Sequence, residues 1–387
     1  MRFTFPQLPV FVVFALGLLQ AASLLHGGVI YVKKSGGNDS NDGSSWANSV
    51  QTLKKALELA NDEIWMASGQ YGDTVTDNNT DDTKTDEQAD SMFTVSSAIK
   101  IYGGFNGTEA SPDDRTWSGN KYSGHPSSAT TIMGSSSIRP LYLKANVRLD
   151  GLTISGGTSV AGNGGGVYVK SGATFWKCKV QSNSSTGNGG GIYVKSGTVN
   201  FIWTQVISNT ASGTSQGGGV YTEAGTFKAY NSTFQSNTAY QFAAGKFQGT
   251  PSFYCCLFKS STTTGGNSAI GKSLEVVGGA QFHYCTFEES LGSTLYIVYS
   301  SGEPTFKGCL WTAASSGFKG TKHNDSVQGS SPASTVSTDA LPTDLHDFDN
   351  DGNTVERLPV DLNGKVRNDD ASDNFDNHGA ISKEAAT

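Results

Sequence analysis

Phe175-Trp-Lys-Cys178-Lys-Val180, Phe201-Ile-Trp-Thr204-Gln-Val206, Phe253-Tyr-Cys-Cys256-Leu-Phe258, Phe282-His-Tyr-Cys285-Thr-Phe287 and Phe306-Lys-Gly-Cys309-Leu-Trp311 are copies of one pattern. Ala229-Tyr-Asn-Ser232-Thr-Phe234 is a degenerate sixth copy, and successive copies lie 24 to 29 residues apart. A unit this short cannot bury its own apolar face, so the copies must stack on one another. The segments are short, rich in β-branched and aromatic residues, and bounded by Gly, Ser, Thr and Asn, which favours strand over helix. Period and composition together predict an all-β chain wound as a right-handed parallel β-helix.

The details of the repeat sharpen this reading. Ile154 lies 26 residues before Val180 and makes an earlier rung of the same ladder. The Cys and the last apolar residue alternate with Lys179, Thr286 or Leu310, so those three are expected to face outward. The Phe three places before the Cys has the opposite parity, which requires a bend or bulge between two short strands. Coils should then stack about 4.7–4.9 Å apart. Ser182-Asn183, Ser208-Asn209 and Ser236-Asn237 follow three of the copies. Asn tolerates left-handed backbone, and stacked Asn side chains can pair in a ladder. Gly164-Gly-Gly, Gly189-Gly-Gly and Gly217-Gly-Gly open the first full copies and permit tight turns before a strand. In Val50-Gln-Thr-Leu-Lys-Lys-Ala-Leu-Glu-Leu-Ala60, Val50, Leu53, Leu57 and Ala60 share one helical face. A helix there would cap the first coil, an otherwise unpaired sheet end. Ile64-Trp-Met-Ala and Ile99-Lys-Ile-Tyr read as early coils.

Uninterrupted repeats argue for one solenoid within 387 residues. The boundaries read as a signal peptide over 1–23, the β-helix over 24–343 and an acidic C-terminal cap or tail over 344–387. Arg2, the apolar run Leu8 to Leu19 and the small residues Ala21-Ala22-Ser23 carry the secretory reading. That run is too short for an ordinary transmembrane helix, so the mature chain is expected to have no transmembrane segment. Forty-eight glycines and 16% charged residues suit turns and stacked strands, and 36% hydrophobic residues exclude disorder. The net charge of −7 is uneven. Gly151 to Ser300 holds eight Lys, four Glu, no Arg and no Asp. Asp73 to Asp90 holds seven acids, and Asp344 to Asp376 holds ten. No strong basic surface points to nucleic acid.

Ile30-Tyr-Val-Lys followed by Asn41-Asp-Gly-Ser-Ser-Trp-Ala47 resembles the opening of many secreted right-handed parallel β-helix proteins. Ile64-Trp-Met-Ala-Ser-Gly-Gln-Tyr71 and Ile101-Tyr-Gly-Gly-Phe-Asn-Gly-Thr-Glu109 are similar to the segments that come next in them, and Asp361-Leu-Asn-Gly-Lys-Val-Arg367 resembles a closing segment. Gly218-Gly219-Val220 with Phe234-Gln-Ser-Asn237 is similar to the repeats of chlamydial-type polymorphic outer membrane proteins, within the pectin-lyase-like superfamily. The resemblance spans residues 29 to 368 and implies adhesins, pectate lyases or other polysaccharide-active enzymes. The chain departs from the adhesins in lacking a terminal membrane barrel, and from their repeat where Ser261, Ser290 and Ala314 replace the Asn.

Several residue groups carry candidate chemistry. Cys256, Cys285 and Cys309 occupy one repeat position in consecutive coils, with Cys178 earlier. They read either as stacked buried thiols or as inter-coil disulfides. Cys255, of opposite parity, is expected outside as a reactive or intermolecular thiol. Asp347, Asp349 and Asp351 precede Gly352 like the start of a calcium loop, though Leu358 stands where the closing acid belongs. Calcium ligation and a solvated acidic tail are both open for them. The Gly triplets precede strands, so no helix N-terminus is available for phosphate. Catalysis by a lyase or glycosidase needs converging acids and bases. The candidates are Asp113, Asp114, Arg115, Arg139, Arg148 and Asp150, with ordinary loop chemistry as the competing reading. Asn-x-Ser/Thr sites begin at Asn38, Asn78, Asn106, Asn183, Asn231 and Asn324.

The expected protein is therefore a secreted or cell-surface β-helix with a structural or adhesive role. It would present Ser, Thr, Asn and exposed aromatics such as Trp203 and Tyr284 to a glycan or surface-protein partner. A polysaccharide lyase or glycoside hydrolase is the alternative.

Overall fold

A computed structural model describes residues 28–60, 62–72, 91–118, 124–160, 162–265, 272–276, 279–288, 296–299, 303–307, 309–311, 321–322 and 327–328. The leader, the acidic segments 73–90 and 344–387, and Asp347, Asp349 and Asp351 lie outside these residues.

Each repeat forms one coil of short strands, four of them in the coils between Val167 and Thr263. In one such coil they are Val167–Val169, Gly172–Trp176, Lys179–Gln181 and Ser184–Ser185. Every strand pairs in parallel with its equivalents in the coils before and after. The equivalents line up into four sheets, here called III, I, II and IV in the order the coil meets them. Sheet I has 11 strands, sheet II ten, sheet III eight and sheet IV five among the described residues. Parallel strands joined by such crossovers wind right-handed, and the molecule is a right-handed parallel β-helix. Glu63–Ala67 and Lys100–Phe105 are early strands of sheet I, and Ile154 pairs with Val180 in sheet II.

The register places one residue type above itself through the core. In sheet I Phe175 pairs with Phe201, Ala229 with Phe253, then Phe282 and Phe306. In sheet II Val206, Phe234, Phe258 and Phe287 follow one another. The rings stack 4.8 Å apart at Phe253–Phe282, 4.9 Å at Phe234–Phe258 and 5.1 Å at Phe258–Phe287. Trp311 continues the register opposite Phe287.

The bend required by parity is a single left-handed residue between sheets I and II. Lys177, Trp203, Asn231, Cys255 and Tyr284 take φ of 45–55° there. A second left-handed corner follows sheet II, at Ser182, Ser208, Ser236 and Ser260. The left-handed residue is thus the Ser, not the Asn that follows it. The freed Asn points inward. Asn183 Nδ2 donates to Asn209 Oδ1 at 3.0 Å, and Asn209 Nδ2 to Asn237 Oδ1 at 3.1 Å. The backbone N–H groups of Asn183 and Asn209 donate to the same carboxamide oxygens at 3.1 and 3.0 Å.

Glycine is required where the coil turns into sheet III. Gly189 has φ of +73°, and a Cβ on it would lie 2.4 Å from the Ile192 carbonyl oxygen. Gly190 packs so closely that a Cβ would lie 2.3 Å from the Thr210 carbonyl carbon in the next coil.

The capping helix, α1, spans Leu53–Leu59. The Thr52 hydroxyl accepts from Lys55 N–H at 3.1 Å, and the Asp39 carboxylate accepts from the N–H groups of Gln51 and Thr52. Leu53 and Ala56 are buried in the core, and Leu57 and Ala60 pack against it. Val50 precedes the helix, extended beside Val32.

Candidate functional site

The outward face of sheet I gathers the chemistry of the chain. Two lines of side chains run along it, one residue per coil. The first is Lys100, Arg148, Thr174, Asn200, Lys228, Ser252, Gln281. The second is Tyr102, Asp150, Trp176, Ile202, Tyr230, Tyr254, His283. Lys228 and Gln281 are exposed, while Asn200 and Ser252 are half-buried. Tyr230 and Tyr254 stack at 5.2 Å with an interplanar angle of 10°, and Tyr254 meets the His283 ring at 5.1 Å. Trp176 lies edge-on to Trp203 at 6.4 Å.

At the N-terminal end of this face three of the six candidate catalytic residues come together. Arg115 Nη1 donates to Asp150 Oδ1 at 2.9 Å and to the Gly103 carbonyl at 3.0 Å. Arg148 Nη2 donates to Asp150 Oδ2 at 2.7 Å. The Asp150 side chain is 1% exposed and that of Arg148 is 36% exposed. Burial alone would raise the Asp150 carboxyl, but the two guanidinium groups overcome it and hold the carboxyl below its ordinary range. Asp150 is therefore a permanent anion between two cations, unsuited to proton transfer near neutrality. The Arg148 guanidinium lies 4.7 Å over Trp176, and Arg115 4.9 Å over Trp117.

The other three candidates do different work. Asp114 closes a short turn by accepting from Ser111 N–H at 2.8 Å, and Asp113 is exposed beside it. Arg139 belongs to sheet III, buried over Tyr168, with Nη1 donating to the Asn163 carbonyl at 2.6 Å.

Trp117, His125 and Lys177 join this end of the face without a signal in the sequence. Lys177 Nζ sits 4.1 Å over Trp117 and 5.3 Å from the Trp203 ring. His125 Nδ1 lies 2.9 Å from the Lys177 carbonyl oxygen, and burial pushes its imidazole down to about 4.

Four outward expectations are corrected. Trp203 and Tyr284 are 3% and 2% exposed, and Cys255 is fully buried. All three stand at the left-handed corner, where residues of successive coils stack over one another. Thr286 is 3% exposed, so its outward parity does not leave it in water.

Carboxylates on the coils face cations of neighbouring coils. Glu63 pairs with Lys100 at 2.9 Å, Glu275 with Lys246 at 3.0 Å and Glu288 with Lys259 at 2.6 Å. Glu223 pairs with Lys195 and accepts from the Tyr193 hydroxyl. Among the described residues no group of three His, Cys, Asp or Glu is placed to hold a metal ion. The five cysteines are all thiols. Cys178 Sγ donates to the Leu149 carbonyl at 3.3 Å, and burial pushes its thiol up to about 12. Of the Asn-x-Ser/Thr sites, Asn38 and Asn106 are exposed and Asn183 and Asn231 are buried, while Asn78 and Asn324 lie outside the described residues.

No family model and no curated protein matches the chain. Among solved structures it is similar to the pectin methylesterase from Aspergillus niger. In its penultimately deglycosylated form the TM-score is 0.36 and the identity 13%, covering 81% of this chain and 92% of that one. In its deglycosylated form the TM-score is 0.37, with the same identity and coverage. At that distance the likeness says nothing about activity, and the β-helix rests on the strand registers. No helix among the described residues is long and apolar enough to cross a membrane.

Proposed function

We propose that this protein is a secreted β-helix that binds glycan along the outward face of sheet I and does not cleave it. One observation carries the reading. Three half-buried rings, Trp176, Tyr254 and His283, run beside the polar line Asn200, Lys228, Ser252 and Gln281, with the buried Ile202 and Tyr230 between Trp176 and Tyr254. Flat rings cover the apolar faces of sugars, and amide, hydroxyl and ammonium groups bond their hydroxyls. Both lines advance once per coil, about 4.8 Å, so an extended chain of sugars lying along the solenoid axis meets a polar group at each step and an accessible ring at Trp176, Tyr254 and His283. Against cleavage, Asp150 is locked between two arginines, and Glu63, Glu275 and Glu288 face lysines rather than one another. A glycosidase needs two carboxyl groups about 5–9.5 Å apart across the scissile bond. The leader-like residues 1–23 and the resemblance of the repeats to those of surface adhesins support secretion.

Affinity electrophoresis through gels cast with neutral and acidic polysaccharides tests the reading, beside assays for lyase and hydrolase products. The mature chain should be retarded in at least one gel and release no product. Tyr254→Ala and Lys228→Ala should weaken retardation about tenfold or more, equivalent to roughly 1.4 kcal/mol. Release of unsaturated or reducing ends by the wild type would instead make the protein an enzyme.

A further inference from the structure

We propose that Cys256, Cys285 and Cys309 form an oxidisable row in which one disulfide at a time ties neighbouring coils together, always through Cys285. The row begins where another device stops. The Asn ladder ends at Asn237. At its next position stands Ser261, whose buried hydroxyl has no hydrogen-bond partner. The sequence continues that position with Ser290 and Ala314. The coil of Ser261, and by sequence those of Ser290 and Ala314, lack the Asn of the ladder, and these coils carry Cys256, Cys285 and Cys309.

The register brings the sulfurs together. Phe253 pairs with Phe282 and Phe306 on one side of the cysteines, and Phe258 with Phe287 and Trp311 on the other. Each Cys therefore lies directly beside the next. The three thiols point the same way. Cys256 Sγ donates to Ala229 O at 3.4 Å, Cys285 Sγ to Phe253 O at 3.4 Å and Cys309 Sγ to Phe282 O at 3.3 Å. All three are fully buried.

Geometry then limits the pairing. Neighbouring coils are about 4.8 Å apart, inside the 4.4–6.8 Å Cα range of disulfides, whereas Cys256 and Cys309 are about twice that distance apart. Only Cys256–Cys285 and Cys285–Cys309 can form, and not both. Cys178 is excluded, because Thr204 and Ser232 fill the two coils between. The Cβ atoms of directly paired residues stand wider than the ~3.8 Å a disulfide prefers, so the bond is strained and easily reduced.

The chemistry is exchange with a small disulfide oxidant while the last coils are open. The Cys285 thiolate attacks one sulfur of the oxidant, forming a mixed disulfide and releasing the other half as a thiolate. The thiolate of Cys256 or Cys309 then displaces the second half. Two cysteine thiols are oxidised to one disulfide, the oxidant is reduced to two thiols, and the two cysteine protons end on them. Once the coil closes, burial raises the Cys285 thiol well above its ordinary value and holds it unreactive.

The test is oxidative refolding of the full chain with oxidised glutathione, quenching with N-ethylmaleimide and peptide mapping by mass spectrometry. Cys255→Ser is run beside the wild type so that the adjacent thiol takes no part. The expected products are peptides linking Cys256 to Cys285 and Cys285 to Cys309. Proteolysis of the C-terminal coils should be about threefold slower after oxidation and return on adding reduced glutathione. Cys285→Ser should lose both links, and Cys309→Ser should keep only Cys256–Cys285, which decides the matter if the first variant fails to fold. Complete alkylation of all three thiols in a refolded chain with native circular dichroism would overturn the proposal. So would a Cys256–Cys309 link, or proteolysis unchanged by oxidation.

Discussion

Asp150 shows how a residue that reads as catalytic becomes structural. Its carboxylate is buried and shared between Arg115 and Arg148. Asp150→Asn removes the anion and leaves the Arg115 guanidinium buried without its charge partner, which should cost about 3–5 kcal/mol in chemical denaturation. Asp150 also titrates in a definite direction. Its folded pKa lies below the unfolded value of about 3.9, so its contribution is complete above that pH and is lost as pH falls further. His125 acts in a higher window. Its folded value of about 4 lies below the ordinary 6.5, so the unfolded chain takes up the proton first. Stability should therefore fall by roughly 3 kcal/mol between pH 6.5 and 4, with full strength retained above 6.5. Melts of the wild type and His125→Gln across that range should converge on the acid side. Parallel curves would show that His125 does not titrate as placed.

Between coils, stability comes from the interior ladders of stacked strands. Phe287 is fully buried between Phe258 and Phe282, and Phe287→Ala should cost about 3–5 kcal/mol. Thr286, outward but buried, should cost about 1 kcal/mol on change to Ala rather than nothing. Ser261→Asn should extend the amide ladder past Asn237 and raise stability by about 1 kcal/mol, read as a higher melting temperature. An unchanged or lower melt would mean the C-terminal corner does not accept the amide. Much of the stacking is legible in the sequence. The hexapeptide spacing gave the rungs, the Phe–Cys parity the bend, Leu53 and Leu57 the capping helix, and the repeated Asn the ladder. What escaped was the corner itself. Left-handed backbone usually announces itself as Gly or Asn, but four of the five described corner residues are Lys177, Trp203, Cys255 and Tyr284. Strain of about 1–3 kcal/mol per residue is tolerated there because stacked coils hold it in place. Alternation along a strand cannot report a residue that leaves the strand, which is why Trp203, Tyr284 and Cys255 were expected in water.

On the scale of the whole molecule, charge is segregated. The coils from Gly151 to Ser300 carry eight Lys against four Glu, although the chain as a whole carries −7. The candidate face was only half legible, because Arg115 and Trp117 reach sheet I from a loop far from Trp176 and Trp203 in sequence. Nothing in the hexapeptide marks that loop as a neighbour. The face nonetheless keeps one register from Tyr102 to His283, and glycan should bind along it. Hydrogen exchange on the mature chain, with and without the polysaccharide that retards it most, tests it directly. Slowed exchange should map to residues 174–176, 200–202, 228–230, 252–254 and 281–283, with no product released. Protection confined to sheet III or to the N-terminal cap, with sheet I unchanged, would contradict it.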